Sequence, residues 1–317
     1  MGIVLTGSIA YDYIMTFPGR FRDHILPEHL DRLSLSFLVD SMMRRPGGVA
    51  ANIAYTLALL GEHPKVMATI GDDAQEYCEW LQRHGVDTSA VRVVPGVLTA
   101  SFFVNTDTTN AQIASFYTGA MAHAAELHFS DLDAKPELAV ISPNDPAAMH
   151  AYVDECIELG IPYVYDPSQQ IVRLEADILR RGIRSCRGLI VNDYEFALIR
   201  DKTGLRVDEV VNTAEFVLIT QGERGASIHA AGQEIRIPAV PPRFMVDPTG
   251  VGDAFRGGFL KGYLHGLGLE RCGQMGALAA TFCLEHDGPQ AHHFDLPSFI
   301  ARFHEHFGSP WDLDKLA

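Results

Sequence analysis

The stretch "DPTGVGDAFRGGF", residues 247–259, predicts a tight turn that leads directly into a helix. Pro248 and Gly250 favour the turn, and Phe255 and Phe259 begin an apolar stripe with helical spacing. The first amides of a helix have no partner inside it, and they lie at the positive end of the helix dipole. The stretch therefore predicts an anion-binding site at a helix N-terminus.

An acid, Asp253, stands in the first turn of this predicted helix. A carboxylate repels a bound anion, so we interpret it as facing an incoming hydroxyl group. Such a hydroxyl must be oriented and must lose its proton as it attacks a phosphoryl group. The alternative is that Asp253 only caps an ordinary helix, and the stretch alone leaves both interpretations open.

The rest of the chain predicts an α/β fold with a doubly wound, mainly parallel sheet flanked by helices. Short apolar runs alternate with helix-like segments, as in a parallel sheet that is covered on both faces. The runs are 3–9, 65–71, 138–142, 162–166, 188–192 and 216–220. Ligands bind beyond the carboxyl ends of such strands, where the chain has Asp166, Asn192 and Thr220.

A small antiparallel β-sheet is expected to form a lid over this crevice. Residues 33–39 and part of 99–106 alternate apolar and polar side chains, and residues 112–119 follow the turn "DTTN" (107–110) as a partner strand. We assign residues 13–44 and 98–120 to the lid. We assign residues 1–12, 45–97 and 121–317 to the α/β core that binds nucleotide and substrate.

Composition excludes several classes of protein. The 317 residues include 25 Lys and Arg against 40 Asp and Glu, a formal charge of −15, which argues against nucleic-acid or anionic-membrane binding. No apolar run reaches the roughly 18 residues of a membrane span. The N-terminus has no basic run typical of a signal peptide. Five scattered cysteines without CxxC spacing indicate reduced thiols, so we expect a cytoplasmic protein.

Two other sets of side chains are interpreted as structural or solvated. His292 and His293, and "HEH" at 304–306, lack a third metal ligand at a sensible spacing, so we interpret them as solvated or helix-capping histidines. The "RR" pairs are interpreted as surface charge.

A second glycine motif precedes a helix in "RRPGGVAANIAYTLALLG", residues 44–61. The pair Gly47 and Gly48 lets a ligand touch the backbone, and Asn52 can donate and accept hydrogen bonds to sugar hydroxyls. A routine junction between a loop and a helix would have the same sequence.

These two motifs resemble the two signature segments of the ribokinase (PfkB) family of carbohydrate and nucleoside kinases. "NDYE" (192–195) and "TQGERGA" (220–226) resemble two further motifs of the family, in the same order along nearly the full chain. The resemblance implies a ribokinase-like fold, ATP and Mg²⁺ as cofactors, and phosphoryl transfer to a hydroxyl group.

The resemblance also implies a role for each matching residue. Asp253 would be the catalytic base, beside the anion-hole amides of Gly250, Val251 and Gly252. The acceptor would be held by Asp12, Gly47, Gly48 and Asn52. The nucleotide and Mg²⁺ would be held by Asn192, Glu195, Thr220 and Gly222. Family likeness further suggests a monovalent cation, K⁺, near Asp247 and Thr249.

The acceptor is expected to be a small molecule, because the chain looks most like the bacterial nucleoside or adenosine kinase branch. Gln169 or Gln170 could reach a base edge, although a solvated loop would look the same. Four lid aromatics could stack on a base or simply pack within the sheet. They are Phe102, Phe103, Phe116 and Tyr117.

We therefore expect transfer to the 5′-hydroxyl of a ribonucleoside such as adenosine. Two alternatives stay open: a sugar kinase that acts on ribose or fructose, and a nucleotide-binding regulator without turnover. The lid edges could also pair with another subunit to form a homodimer.

Overall fold

The computed structural model of the chain describes residues 2–25, 31, 32, 34–308 and 316. Its strands are β1 Ile3–Thr6, β2 Ala10–Thr16, β3 Ser41–Gly47, β4 Lys65–Ile70, β5 Asp87–Val93, β6 Ala100–Thr106, β7 Gln112–Tyr117, β8 Leu138–Ile141, β9 Tyr163–Tyr165, β10 Gly188–Asn192, β11 Phe216–Thr220, β12 Ala226–Ala230 and β13 Gln233–Ile237. Its helices are α1 Val49–Leu59, α2 Gln75–Arg83, α3 Pro146–Glu158, α4 Ala176–Ser185, α5 Asp193–Thr203, α6 Val207–Val211, α7 Val251–Leu264, α8 Leu269–Leu284 and α9 Leu296–Phe307.

The large sheet has the strand order β13-β12-β11-β10-β9-β8-β1-β4-β5. All six predicted apolar runs are strands of this sheet, and the pairings between neighbours from β11 through β5 are parallel. Strands β12 and β13 add an antiparallel edge that the sequence pattern did not predict. Because the central strands are parallel, their carboxyl ends meet at one edge of the sheet.

Helices cover both faces of this sheet, as expected for a doubly wound fold. Successive side chains of one strand point to opposite faces. In β1, Leu5 packs in a core with helices α1, α2, α7, α8 and α9, whereas Val4 packs in a second core with α3 to α6. Both side chains are fully buried, so the near-continuous apolar strands follow from burial on both faces.

Helices α7 and α8 pack so closely that a glycine is required between them. A Cβ atom at Gly258 would lie 2.5 Å from the carbonyl oxygen of Met275. On the opposite side of α7, a Cβ atom at Gly257 would lie 2.6 Å from the Cβ atom of Thr56 in α1. The adjacent glycines therefore let α7 approach two other helices, which offsets their low helix propensity.

The small sheet has the order β3-β2-β6-β7. The predicted hairpin of β6 and β7 is confirmed, and β2 pairs antiparallel with β3, whereas the central pair β2 and β6 is parallel. The sheet begins at Ala10 and includes Gly47, so it extends slightly beyond the predicted lid segment 13–44. The division into core and lid, and a homodimer through the lid edges, stay predictions.

The predicted strand at 33–39 is wrong for the residues that the structure describes there. Residues 34–39 form no strand, and the strand of this region is β3 instead. Phe37 packs edge-on against Phe17 and Phe21, with ring centroids 5.0 and 4.9 Å away. The alternating pattern therefore reflects an aromatic cluster in a loop rather than a pleated strand.

All five cysteines are free thiols. Within the described ranges of the chain, no helix has both the length and the apolar character needed to cross a membrane.

The interpretation of His292 as solvated or helix-capping is wrong, because its side chain is fully buried. Its Nε2 atom lies 3.2 Å from the hydroxyl of Thr56, and its ring meets Tyr55 edge-on. Burial, with smaller contributions from the nearby His286 and His293, lowers the pKa of His292 to about 3. The ring is therefore neutral in the folded protein near pH 7.

We predict that His292 makes the protein sensitive to acid. Below the ordinary histidine pKa of about 6.5 the unfolded chain binds a proton at this ring, but the folded protein does not. The free energy of unfolding should therefore fall as pH drops from about 6.5 toward 3. In His292→Gln, urea denaturation should show a slope against pH that is shallower by about 1.4 kcal/mol per pH unit. The exposed His306→Gln is the control, and an unchanged slope in His292→Gln would contradict the prediction.

Candidate active site

Helix α7 begins at a glycine turn on the carboxyl edge of the large sheet. Gly250 precedes the helix with a φ of 77°, a conformation that favours glycine, and a Cβ atom there would lie 2.3 Å from the Cβ atom of Pro289. The backbone N–H of Thr249 donates to Oδ1 of Asp247 at 2.8 Å, which closes the turn. Among the described residues no side chain caps the helix, so its first amides remain available to an anion.

The predicted anion-hole amides of Gly250, Val251 and Gly252 all lie in this turn. The N–H of Val251 makes only a long contact, 3.4 Å, with the carbonyl oxygen of Pro248. A Cβ atom at Gly252 would lie 2.9 Å from Nη1 of Arg256, so this glycine leaves room for a guanidinium beneath the turn. The structure brings the three amides together, and their role as an anion hole stays a prediction.

Asp253 is the acid of the first turn of α7, and its side chain is only 15% exposed. Its Oδ2 atom accepts a hydrogen bond of 2.8 Å from Nδ2 of Asn52, and its Oδ1 atom lies 3.9 Å from Nη1 of Arg256. Burial raises the pKa of Asp253, and the negative charge of Glu195 raises it further, against the opposing effects of Arg256 and Asn52. A raised pKa makes this carboxylate a stronger base than an exposed aspartate.

A buried ion pair lies directly beneath Asp253. Arg256, one turn later in α7, donates from Nη2 to Oδ1 of Asp166 at 2.7 Å, and its Nε lies 2.6 Å from Oδ2. Asp166 follows strand β9 and has no exposed surface. Burial raises the pKa of Asp166, and the guanidinium opposes that rise. The two short contacts with Arg256 favour the ionised pair.

Asn52 connects the first turn of α1 to this base. It is buried, donates to Asp253, and accepts a hydrogen bond of 2.8 Å from Nε2 of Gln290. The same Gln290 group also contacts the hydroxyl of Tyr77 at 2.6 Å, and Tyr77 donates to the carbonyl oxygen of Gly47 at 2.7 Å. Because the amide of Asn52 accepts from Gln290 and donates to Asp253, these hydrogen bonds fix its orientation toward Asp253.

The glycine pair before α1 leaves room for other atoms of the protein to pack against the backbone. A Cβ atom at Gly47 would lie 2.5 Å from Oδ2 of Asp12, and one at Gly48 would lie 2.5 Å from the carbonyl oxygen of Ser8. Gly48 also has a φ of 96°. The pair therefore makes room for Asp12 and closes the turn against Ser8. At Gly48 the backbone additionally borders a cavity.

Asp12 lies on the lid strand β2 and has an unusual electrostatic environment. Burial and, to a smaller extent, the charges of Asp253 and Asp247 together raise its pKa to about 6, against the opposing effect of Arg45. A carboxylate in this position accepts hydrogen bonds strongly when it is ionised, because few other donors or waters compete for it.

A cavity of about 420 Å³ lies between the lid and the carboxyl edge of the sheet, within the usual range for small-molecule sites. Its lining brings together four of the five predicted acceptor-binding residues and omits Gly47. These four are Asp12, Gly48, Asn52 and Gln169. Thr249, from the turn before α7, borders the same cavity. The predicted acceptor site and the predicted anion hole therefore adjoin.

Two of the four lid aromatics face this cavity. Phe102 and Phe116 are directly opposite each other on β6 and β7, and both line it. Phe103 points to the other face of the lid sheet and stacks on Tyr13 at 4.7 Å. The alternation along a strand thus separates the aromatics into one set for packing and one set for the cavity.

Gln170 is better placed than Gln169 to accept a hydrogen bond from a ligand in the cavity. Gln169 is exposed at the cavity, with its Oε1 atom 2.8 Å from Oγ of Ser168, whereas Gln170 is only 6% exposed. Its Oε1 atom is buried without a hydrogen-bond partner among the described residues. A buried, unpaired amide oxygen beside a cavity is stabilised when a ligand supplies the missing donor.

The predicted nucleotide residues lie at the ends of two adjacent strands. Asn192 of β10 is paired with Thr220 of β11, and Gly222, with φ of 60°, begins the next turn. Asn192 and Glu195 cap α5 reciprocally, through two hydrogen bonds of 2.8 Å. The other oxygen of Glu195 accepts from Ser168 at 2.9 Å. These contacts hold Glu195 in place, and its role toward ATP stays a prediction.

Two arginines of the site were not identified from the sequence. Arg256 could have been found, because a charge inside a predicted apolar helix face needs a buried partner, and Asp166 was a candidate. Arg45 is one of an "RR" pair, and the interpretation of such pairs as surface charge is wrong for it. Its side chain is 14% exposed and donates to Asp247 at 2.9 Å. No local pattern distinguishes it from Arg44.

Comparison with known proteins agrees with this geometry. The structure of the nucleoside kinase of Burkholderia thailandensis in complex with inosine superposes with a TM-score of 0.87, at 39% identity, over 96% of this chain and 98% of that one. The same kinase in complex with ADP-inosine gives a TM-score of 0.85 at 40% identity, over 96% of both chains.

An archaeal relative matches nearly the full chain at a lower sequence identity. The nucleoside kinase of Methanocaldococcus jannaschii is 27% identical over 311 residues, which cover 96% of this chain and 97% of the relative. The model of the family described as "pfkB family carbohydrate kinase" matches residues 6–294. The chain belongs to the pfkB family of carbohydrate kinases.

Proposed function

We propose that this protein is an ATP-dependent nucleoside kinase that transfers the γ-phosphoryl group to the 5′-hydroxyl of a ribonucleoside. The observation that carries the proposal is Asp253, a buried carboxylate in the uncapped first turn of α7 that accepts a hydrogen bond from Asn52, a residue that lines the acceptor cavity. The names of the similar proteins, and the inosine complex of one of them, support a nucleoside acceptor.

Asp253 orients the acceptor hydroxyl and receives its proton. The hydroxyl oxygen forms a bond to the γ-phosphorus as the bond to the ADP oxygen breaks, and the proton passes to the carboxylate. Asn52 donates to Oδ2 of Asp253 at 2.8 Å, so we assign the proton-accepting role to the other oxygen, Oδ1, which lies 3.9 Å from Nη1 of Arg256. The first amides of α7 stabilise the charge of the transferred group, which develops where they converge.

A nucleoside fits the cavity better than a free sugar does. Phe102 and Phe116 offer aromatic faces on which a base stacks, and a free sugar has no matching π-system. The unpaired amide oxygen of Gln170 accepts from an N–H group of a base or from a hydroxyl. Asp12 binds the ribose hydroxyls from the lid side of the same cavity.

Mg²⁺ is the divalent ion that the resemblance implies, and the residues fit it. Glu195 raises the pKa of both Asp253 and Asp166, so this edge of the sheet carries negative charge that a cation would reduce. No group of three His, Cys, Asp or Glu side chains in the described part of the chain forms a metal site. Glu195 and Asn192 would therefore hold the ion through its waters, and the ion would neutralise the phosphates of ATP.

K⁺ near Asp247 and Thr249 does not fit. Oδ1 of Asp247 accepts from the N–H of Thr249, and Oδ2 accepts from Nη1 of Arg45. The guanidinium of Arg45 already places a positive charge against this carboxylate, so a second cation there would be repelled.

The first test of the proposal is a panel of acceptors. With ATP and Mg²⁺, inosine, adenosine and cytidine should each be compared with ribose and fructose by ADP release, with the product identified by ³¹P NMR. Phosphorylation of nucleosides at the 5′ position is the expected result. Phosphorylation of free sugars alone would select the sugar kinase, and bound ATP without any turnover would select the regulator.

A second prediction concerns Asp253→Asn. The amide keeps the shape of the side chain but cannot accept the proton, so kcat should fall by roughly 10²-fold or more while nucleoside binding by calorimetry changes little. Asp177→Asn is the matched control, since Asp177 also lies in the first turn of a helix, α4, and forms an exposed ion pair with Arg180. Turnover close to that of the control would remove Asp253 from its assigned role.

A third prediction concerns Asp12→Asn. Loss of the charge should raise KM for the nucleoside about tenfold or more, because hydrogen bonds to a charged group contribute about 1.5–3 kcal/mol, while KM for ATP should change little. In the wild type, kcat/KM for the nucleoside should decline as pH falls through about 6, the pKa of Asp12. The exposed lid residue Asp40→Asn is the control. An equal rise in both KM values would place Asp12 outside the acceptor site.

A further inference from the structure

Arg45 joins the lid sheet to the loops around the anion hole. It lies on lid strand β3, and its side chain is largely buried. Nη1 donates to Oδ2 of Asp247 at 2.9 Å, and Nη2 donates to Oδ2 of Asp287 at 2.6 Å. One guanidinium therefore binds two carboxylates on segments that are far apart along the chain.

The two carboxylates flank the turn that precedes α7. Asp247 begins that turn, and Asp287 lies two residues before Pro289, which packs on Gly250. Gly288 has a φ of 117°, and a Cβ atom there would lie 3.3 Å from Cδ of Arg45. The arginine thus fits against the backbone of the segment that packs on the anion-hole turn.

The same residue is adjacent to the acceptor site. Arg45 is the register partner of Asp12 across strands β3 and β2. Its charge opposes the rise in the pKa of Asp12. A change in the position of the small sheet would therefore move this charge relative to Asp247 and Asp287, while Asp12 on the neighbouring strand would move with it.

We propose that the guanidinium of Arg45 takes the place of a free monovalent cation beside the anion-hole turn. Because Arg45 is carried by β3, it keeps this turn ordered only when β3 lies in the position that the structure shows. Asp247 and Asp287 would repel each other across this region without a cation between them. A free ion would exchange with solvent, whereas a guanidinium carried by β3 makes the order of the turn depend on the lid. Arg45 is thus a positioning residue, and its role in turnover rests on the proposed kinase activity.

The first experiment measures cation dependence at constant ionic strength, with KCl exchanged for tetramethylammonium chloride. Turnover of the wild type should be unchanged by K⁺. Arg45→Met should lower kcat by about 10²-fold, the usual scale for a misplaced catalytic turn, and KCl or millimolar guanidinium should restore part of it. Arg44→Met is the matched control, because that guanidinium lies over the ring of Tyr11 instead, 4.5 Å from its centroid.

A second readout does not depend on turnover. KCl should raise the Tm of Arg45→Met relative to tetramethylammonium chloride, but should not raise the Tm of the wild type or of Arg44→Met. Strong activation of the wild type by K⁺, or an Arg45→Met variant with normal turnover and no Tm response, would overturn the inference. If the wild type phosphorylates no acceptor, the proposed function fails, and the Tm comparison still decides the role of Arg45.

Discussion

The buried contact between Arg256 and Asp166 determines how the rest of the site is arranged. Neither side chain can lie in the interior without the other, because an isolated charge there is strongly destabilising. The contact fastens the first turns of α7 to the end of β9 and so fixes the rotation of the helix. Asp253, one turn earlier, is then directed toward Asn52, which lines the cavity.

Electrostatics explains why such an acidic edge needs several sources of positive charge. Asp253, Asp166 and Glu195 lie close enough that their charges interact, and a nucleotide would add its phosphates. The dipole of α7 and the guanidinium of Arg256 oppose this accumulation from inside the fold. Arg45 contributes positive charge from β3 of the small sheet, through its contact with Asp247.

The sequence predicted the fold more completely than it predicted the site. Continuous apolar runs identified the six central strands, because a strand that is buried on both faces needs apolar side chains at nearly every position. The period-two pattern failed at 34–39, where Phe37 joins an aromatic cluster in a loop. The sequence also could not show that His292 is buried, because a neutral histidine ring packs in a core as readily as it caps a helix.

The sequence by itself determined the features that depend on one short segment of the chain. The turn at Gly250, the helix that follows it and the cap between Asn192 and Glu195 depend on neighbours along the chain. Only the tertiary structure decided the long-range pairs, such as Arg256 with Asp166 and Arg45 with Asp247, which are separated by 90 and 202 residues. The reason is physical: any arginine can pair with any aspartate, and only the packing of helices and strands selects which two are buried together.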